Sequence, residues 1–133
     1  MGDIQEPGAI NWIDLTVPDA ERVRDFYEQV VGWKVKSVGM GSYQDYAMTS
    51  ESGGRSVAGI CHARGMNEGI PPVWLIYITV ANLDDSMNRA TELGGRVLRA
   101  PVNIGTNARF AIIQDPAGAV CALFEDVRPP DEP

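Results

Sequence analysis

The sequence has little of the chemistry that thiols and imidazoles supply: one histidine, His62, and two cysteines, Cys61 and Cys121, far apart and without CxxC spacing. Buried, reduced thiols are therefore expected rather than a disulfide framework or a cysteine metal site. Long apolar runs are missing too. No stretch approaches the ~18 uninterrupted apolar residues that a membrane span needs, so a soluble chain is expected. Its acidic charge repels anionic membrane surfaces, so no membrane partner is expected. Positive charge is scarce, with 11 Lys and Arg against 18 Asp and Glu and a net charge of −7. Such a field repels phosphate backbones, so nucleic acid is not an expected partner. The same field draws in cations, although an acidic surface also serves solubility alone. The start, Met1 to Pro7, is acidic and lacks the basic-then-apolar pattern of a secretory signal, which points to the cytoplasm.

What is present is an internal repeat. The 133 residues suit one domain with a real core, spanning 1–133. Within it, residues 10–36 lie without a gap on residues 73–99 at an offset of 63, matching Ile13 with Ile76, Thr16 with Thr79, Val17 with Val80 and Gly32 with Gly95. The pattern of residue classes agrees throughout. Each copy opens with period-2 alternation, Ile13, Leu15, Val17 and Ile76, Ile78, Val80, which predicts a strand. Asp19 and Asn82 then offer capping oxygens to a helix. Val23, Phe26, Tyr27 and Val30 form one apolar stripe, Leu83, Met87, Ala90 and Leu93 the other, and Gly32 and Gly94-Gly95 supply the exits.

Three further extended runs follow each helix: Lys34 to Val38, Tyr43 to Thr49 and Ser56 to Ala63, then Arg96 to Pro101, Arg109 to Gln114 and Val120 to Glu125. Asp115-Pro116-Ala117-Gly118 reads as a type I turn. Module one is placed at about 10–64, a Gly/Pro-rich linker at 65–72 and module two at about 73–126, with the tail from Arg128 to Pro133 expected to fray. The fold class is α+β: two βαβββ modules forming a curved mixed sheet around a cavity, with helices on the outer face.

Strand alternation puts Ile13, Leu15 and Val17 toward the helix and Trp12, Asp14 and Thr16 on the other face; Ile76, Ile78, Val80 and Leu75, Tyr77, Thr79 divide in the same way. A mixed aromatic and polar face suits a ligand pocket, and it equally suits cover by a partner subunit.

The paired modules, the run Val17-Pro18-Asp19 with Phe26-Tyr27 and Gly32, and the closing Asp115-Pro116-Ala117-Gly118 resemble the vicinal oxygen chelate superfamily over roughly residues 10–126. That group holds glyoxalase I, extradiol dioxygenases, fosfomycin-resistance transferases and bleomycin-binding proteins. The resemblance implies metal ligands at one position in the first and last strand of each module, which here are Trp12, Gly59, Leu75 and Ala122. None of these offers the imidazole, carboxylate or thiolate that a divalent metal requires, so no metal and no cofactor is expected. The resemblance also implies a homodimer.

His62 should point away from Gly59 and Cys61 and needs no function. Cys61 shares the pocket face but has no histidine there to make a thiolate. Asp14 is the acid in an aromatic and apolar row. A buried carboxylate resists ionisation, which suits general base work or binding of a cation, whereas pairing with Arg109 or a hydrogen bond from Tyr77 would be purely structural. Trp12, Tyr77 and Phe124 could stack a planar or cationic ligand, or pack at a subunit interface. The expected ligand-binding set is Trp12, Asp14, Gly59, Cys61, Leu75, Tyr77, Arg109, Ala122 and Phe124. The function expected is metal-independent binding of a small organic molecule, as in the bleomycin-binding branch; the alternative is a metal-free glyoxalase-like enzyme using Asp14 or Tyr77 for proton transfer.

Overall fold

A computed structural model describes residues 6–127, so the expected fraying of the tail from Arg128, and the first five residues of the acidic start, lie outside the described residues. The first run of elements is β1 (Ile10–Val17), α1 (Ala20–Val31), β2 (Lys34–Gly39), β3 (Gln44–Thr49) and β4 (Ser56–His62). The second is β5 (Trp74–Thr79), α2 (Leu83–Glu92), β6 (Arg96–Ile104), β7 (Ala108–Gln114) and β8 (Val120–Asp126).

Local chemistry sets these boundaries. The Asp19 carboxylate accepts the Arg22 amide at 3.1 Å, and the Asn82 side chain accepts the Asp85 amide at 3.0 Å, so each helix starts on a side-chain cap. Of the paired glycines after α2, Gly94 takes the left-handed φ of 96°. Gly95 is required by space instead, because a Cβ there would meet the Gln114 carbonyl oxygen at 2.8 Å. The Asp115 carboxylate closes the turn before β8 by accepting the Ala117 and Ala119 amides at 2.8 and 3.0 Å. β6 runs beyond Pro101, where the sequence predicted its end. It is an edge strand whose register shifts on either side of Arg99, and an irregular edge tolerates a residue with no N–H to donate.

The chain forms two compact units, one of Trp12–Trp74 and the other of the residues from Leu75 onward with the strand start before Trp12. In the first the strand order is β2-β3-β4-β1, with β1 and β4 parallel and the remaining neighbours antiparallel. In the second the order β5-β8-β7-β6 has the same pattern of parallel and antiparallel neighbours. Register agrees as well. Asp14, Leu15 and Thr16 pair with Gly59, Ile60 and Cys61, while Tyr77, Ile78 and Thr79 pair with Ala122, Leu123 and Phe124, each partner lying 63 residues further on. The fold is α+β, each unit a helix packed on a four-stranded mixed sheet.

In the first unit Leu15, Val17, Ala20, Tyr46, Met48 and Ile60 form the core, with Val23, Tyr27 and Trp74 against it. In the second, Leu83 and Met87 of α2 pack on Ala111 and Leu123. Two helix positions read as core are surface. Phe26 is 55% exposed and Val30 63%, because the buried stripe of α1 runs through Ala20, Val23 and Tyr27 and leaves these two on its flank. Leu93 is exposed because it follows the last helical residue. In β5 the face opposite the helix is better covered than alternation predicts: Leu75, Tyr77 and Thr79 are buried, while Ile76, Ile78 and Val80 are half-buried. At its end β5 is also paired along its edge by the chain before Trp12, where the Gly8 amide donates to the Thr79 carbonyl and the Thr79 amide to the Ala9 carbonyl, both at 2.8 Å. No described helix is long and apolar enough to cross a membrane.

Candidate functional site

In the Trp12–Trp74 unit the parallel pairing of β1 with β4 sets Asp14 directly beside Gly59. The Trp12 indole N–H donates to the Asp14 Oδ1, two residues along the same strand face. A Cβ on Gly59 would overlap that same oxygen and would lie 3.3 Å from both Asp14 Cγ and Trp12 Nε1. Gly59 is therefore glycine because the Asp14 carboxylate fills the space a side chain would take. The three residues form one unit of structure: a half-buried carboxylate, the N–H that fixes it, and the floor that makes room for it.

Cys61 follows two residues after Gly59 on the same face. Burial, then the nearby carboxylates of Asp14 and Asp45, push its thiol well above the ordinary range, so it stays protonated and is a poor nucleophile. Asp45 escaped the sequence reading. It is buried, accepts the His62 backbone N–H at 2.8 Å, and lies 3.4 Å from His62 Nδ1. Only a polar residue in an alternating strand marked it, which is the pattern of any solvent-facing position. His62 itself is half-buried and edge-on to the Tyr43 ring at 5.6 Å, the packing role expected of it.

In the other unit Tyr77 and Ala122 are paired neighbours and both are buried, as is Leu75. Phe124 pairs with Phe110, whose ring centroid lies 5.9 Å from that of Tyr77. Register makes these residues the equivalents of the first unit's site residues: Tyr46 pairs with Ile60 and Ala111 with Leu123, so Asp45 corresponds to Phe110 just as Asp14 corresponds to Tyr77 and Cys61 to Phe124. One unit carries two carboxylates at the places where the other carries an aromatic pair.

Arg109 departs from the expected set. It stands two residues from Ala111, which packs under α2, and its guanidinium bonds Asp84 of that helix at 3.1 Å and Glu125 at 3.3 Å. It belongs to the helix face of its sheet and is not the partner that holds Asp14. Cys121 pairs across from Ile113, which also packs on the helix side, and both cysteines are free thiols.

The residues do not fit a divalent metal. Indole, glycine, leucine and alanine occupy Trp12, Gly59, Leu75 and Ala122, and among the described residues no three His, Cys, Asp or Glu side chains gather into a ligand set. The carboxylate nearest those positions, Asp14, is bonded to Trp12.

Two βαβββ units of matched register define the class. The chain belongs to the glyoxalase/bleomycin resistance protein/dioxygenase superfamily, whose family model matches residues 9–123. It is 31% identical over 119 residues to “Putative glyoxylase CFP32” of Mycobacterium tuberculosis, covering 89% of this chain and 46% of that one. It is 30% identical to “Anthracycline biosynthesis protein DnrV” of Streptomyces peucetius, covering 89% of this chain and 47% of that protein. The chain thus spans about half the length of the curated relatives it matches. Among solved structures it resembles methylmalonyl-CoA epimerase from Mycobacterium tuberculosis, with a TM-score of 0.53 at 15% identity over 96% of this chain and 93% of that one, a likeness of fold.

Proposed function

We propose that this protein binds a small organic molecule without a metal ion, and that the fixed carboxylate of Asp14 recognises a cationic group on it. The observation that carries the reading is the Trp12, Asp14 and Gly59 arrangement: where a chelating member of the superfamily would place ligands, this chain places an indole, a glycine and, between them, an oriented carboxylate. An oriented, half-buried anion is prepared for a cation because its position is already set before binding. Asp45, buried in the same unit and bonded to the His62 backbone N–H, is a second carboxylate there. Within the same unit, the Trp12 indole beside the Asp14 carboxylate suits a planar ligand.

The test uses N-methylquinolinium against its neutral counterpart 1-methylnaphthalene, measured by calorimetry. The cation should bind more tightly, and Asp14→Asn should weaken it about tenfold, ~1.4 kcal/mol, without weakening the neutral compound. Equal affinity for the two probes, or an indifferent Asp14→Asn, would sink the reading. Stoichiometric zinc, nickel, manganese or iron in the purified protein would do the same.

A second reading is kept because one relative carries a glyoxylase name: a metal-free enzyme in which Asp14 or Tyr77 moves a proton on a small carbonyl substrate. Turnover that is equal in wild type and Asp14→Asn removes Asp14 from that role. We also propose a homodimer, supported by the β6 edge strand, which leaves Val97, Leu98 and Ile104 exposed. Light scattering that gives a monomer at all working concentrations would refute it.

A further inference from the structure

A cavity lies on the opposite side of β1 from Asp14. Its volume is about 440 Å³, within the range of small-molecule pockets. The buried side chains of Leu15 and Val17 form its floor, Phe26, Tyr27 and Trp74 its walls, and Arg22 sits at its rim. All of these belong to the Trp12–Trp74 unit.

The walls are pinned rather than loose. The Trp74 indole N–H donates to the Tyr27 hydroxyl at 3.2 Å, and the Trp74 ring meets Tyr27 and Trp33 edge-on, with centroids 5.3 and 5.9 Å away. A wall held in this way pays little ordering entropy when a ligand arrives. Phe26, 55% exposed, leaves apolar surface open at the mouth. Charge at the site has one sign. Arg22 is the charged residue of the lining, no carboxylate lines the cavity among the described residues, and the guanidinium makes no ion pair with any described residue. Of the neighbouring acids, Asp19 caps the helix by accepting the Arg22 backbone amide at 3.1 Å, and Asp25 is taken by Arg24 at 2.9 Å. In a chain of net charge −7, a cation with no ion-pair partner among the described residues, beside an aromatic slot, is complementary to an anion with an apolar body.

We propose that this cavity is a binding site for a small planar aromatic carboxylate, its rings held among Phe26, Tyr27 and Trp74 and its carboxylate by Arg22. The charge it selects is opposite to that proposed for Asp14, so the two sites are separable by probe.

The probe is 1-naphthoate, compared with 1-naphthylmethylamine, followed in ¹H–¹⁵N spectra through the Trp74 indole N–H, which a Trp74→Phe variant assigns. Naphthoate should bind saturably, shift that signal and bind at least tenfold more tightly than the amine. Arg22→Gln, at an exposed position that leaves the core intact, should weaken naphthoate about three- to fivefold, the upper part of the range for an exposed ion pair, and narrow the gap between the two probes. Equal binding of acid and amine, or a Trp74 signal that does not move, overturns the proposal. So does a dimer that Phe26→Ser dissociates while naphthoate binds only the dissociated form, because the occupant is then a second copy of this chain.

Discussion

Gly59→Ala is the sharpest perturbation the geometry allows. The backbone at Gly59 is not in the left-handed region, so alanine on its own would stabilise the chain by roughly 0.4–1 kcal/mol through the unfolded state. Against that, its methyl would occupy the position of Asp14 Oδ1 and crowd the Trp12 indole nitrogen, forcing the carboxylate off its donor. A hydrogen bond to a charged group contributes about 1.5–3 kcal/mol, and for a half-buried acid the lower end applies. The two effects leave Gly59→Ala about 1 kcal/mol destabilising in the wild type and about 0.4–1 kcal/mol stabilising in an Asp14→Ala background. The coupling in a double-mutant cycle is then about 1.5–2 kcal/mol, well above the ordinary error of additivity. Urea denaturation of the four proteins, with a common slope, measures it. The other unit supplies a natural control, because Ala122 holds the matched position beside Tyr77 and a methyl is accommodated there. If Gly59→Ala stabilises both backgrounds alike, Asp14 does not occupy that space and the site as described fails.

Asp45→Ala should cost about 2–3 kcal/mol in the same assay, since it strands the His62 backbone N–H in a part-buried place, and a loss below ~0.5 kcal/mol would show that water serves as well. Stability should fall as pH rises above 9.0, the ordinary cysteine value: the unfolded chain loses the Cys61 proton while the folded chain keeps it, so this contribution is intact below that pH and declines by up to ~1.4 kcal/mol per unit above it. Cys61→Ala should flatten the decline without abolishing it, since Cys121 is shifted the same way, and an unchanged slope would refute the assignment. Arg109→Gln should lower the denaturation midpoint modestly, because Asp84 is largely exposed but the mostly buried Glu125 loses its partner, and should not alter the Asp14-dependent binding of N-methylquinolinium. Loss of that binding would contradict its placement on the helix face.

The modules were legible because several local signals agreed. Alternation, the caps at Asp19 and Asn82, and the Asp115 turn each name an element boundary, and the 63-residue offset carries over to the strand register itself. Arg109 was misplaced for want of contrast. In β7 the rows Ala111, Ile113 and Phe110, Ile112 are both apolar, so alternation cannot say which row faces the helix. Asp45 was invisible for the converse reason, since a polar residue looks the same in sequence whether it faces water or a buried amide. Gly59 was read as a missing ligand, and only three-dimensional proximity shows that it is the room made for Asp14.

That change in the meaning of Gly59 reaches the matched unit. Parallel strands in equal register set a volume rule between first- and last-strand partners. Where the first strand bears Tyr77, the last strand carries Ala122; where it bears Asp14 fixed by Trp12, the last strand must give up its side chain. The same correspondence sets Asp45 against Phe110, so the two units differ in chemistry at matched places while sharing a backbone plan. A scaffold built to collect ligands from equivalent positions has here been loaded asymmetrically, acid on one unit and aromatic on the other. Within each unit taken by itself the outcome for a metal is the same, because neither an acid fixed by an indole nor an aromatic pair supplies the donor set that a divalent ion needs.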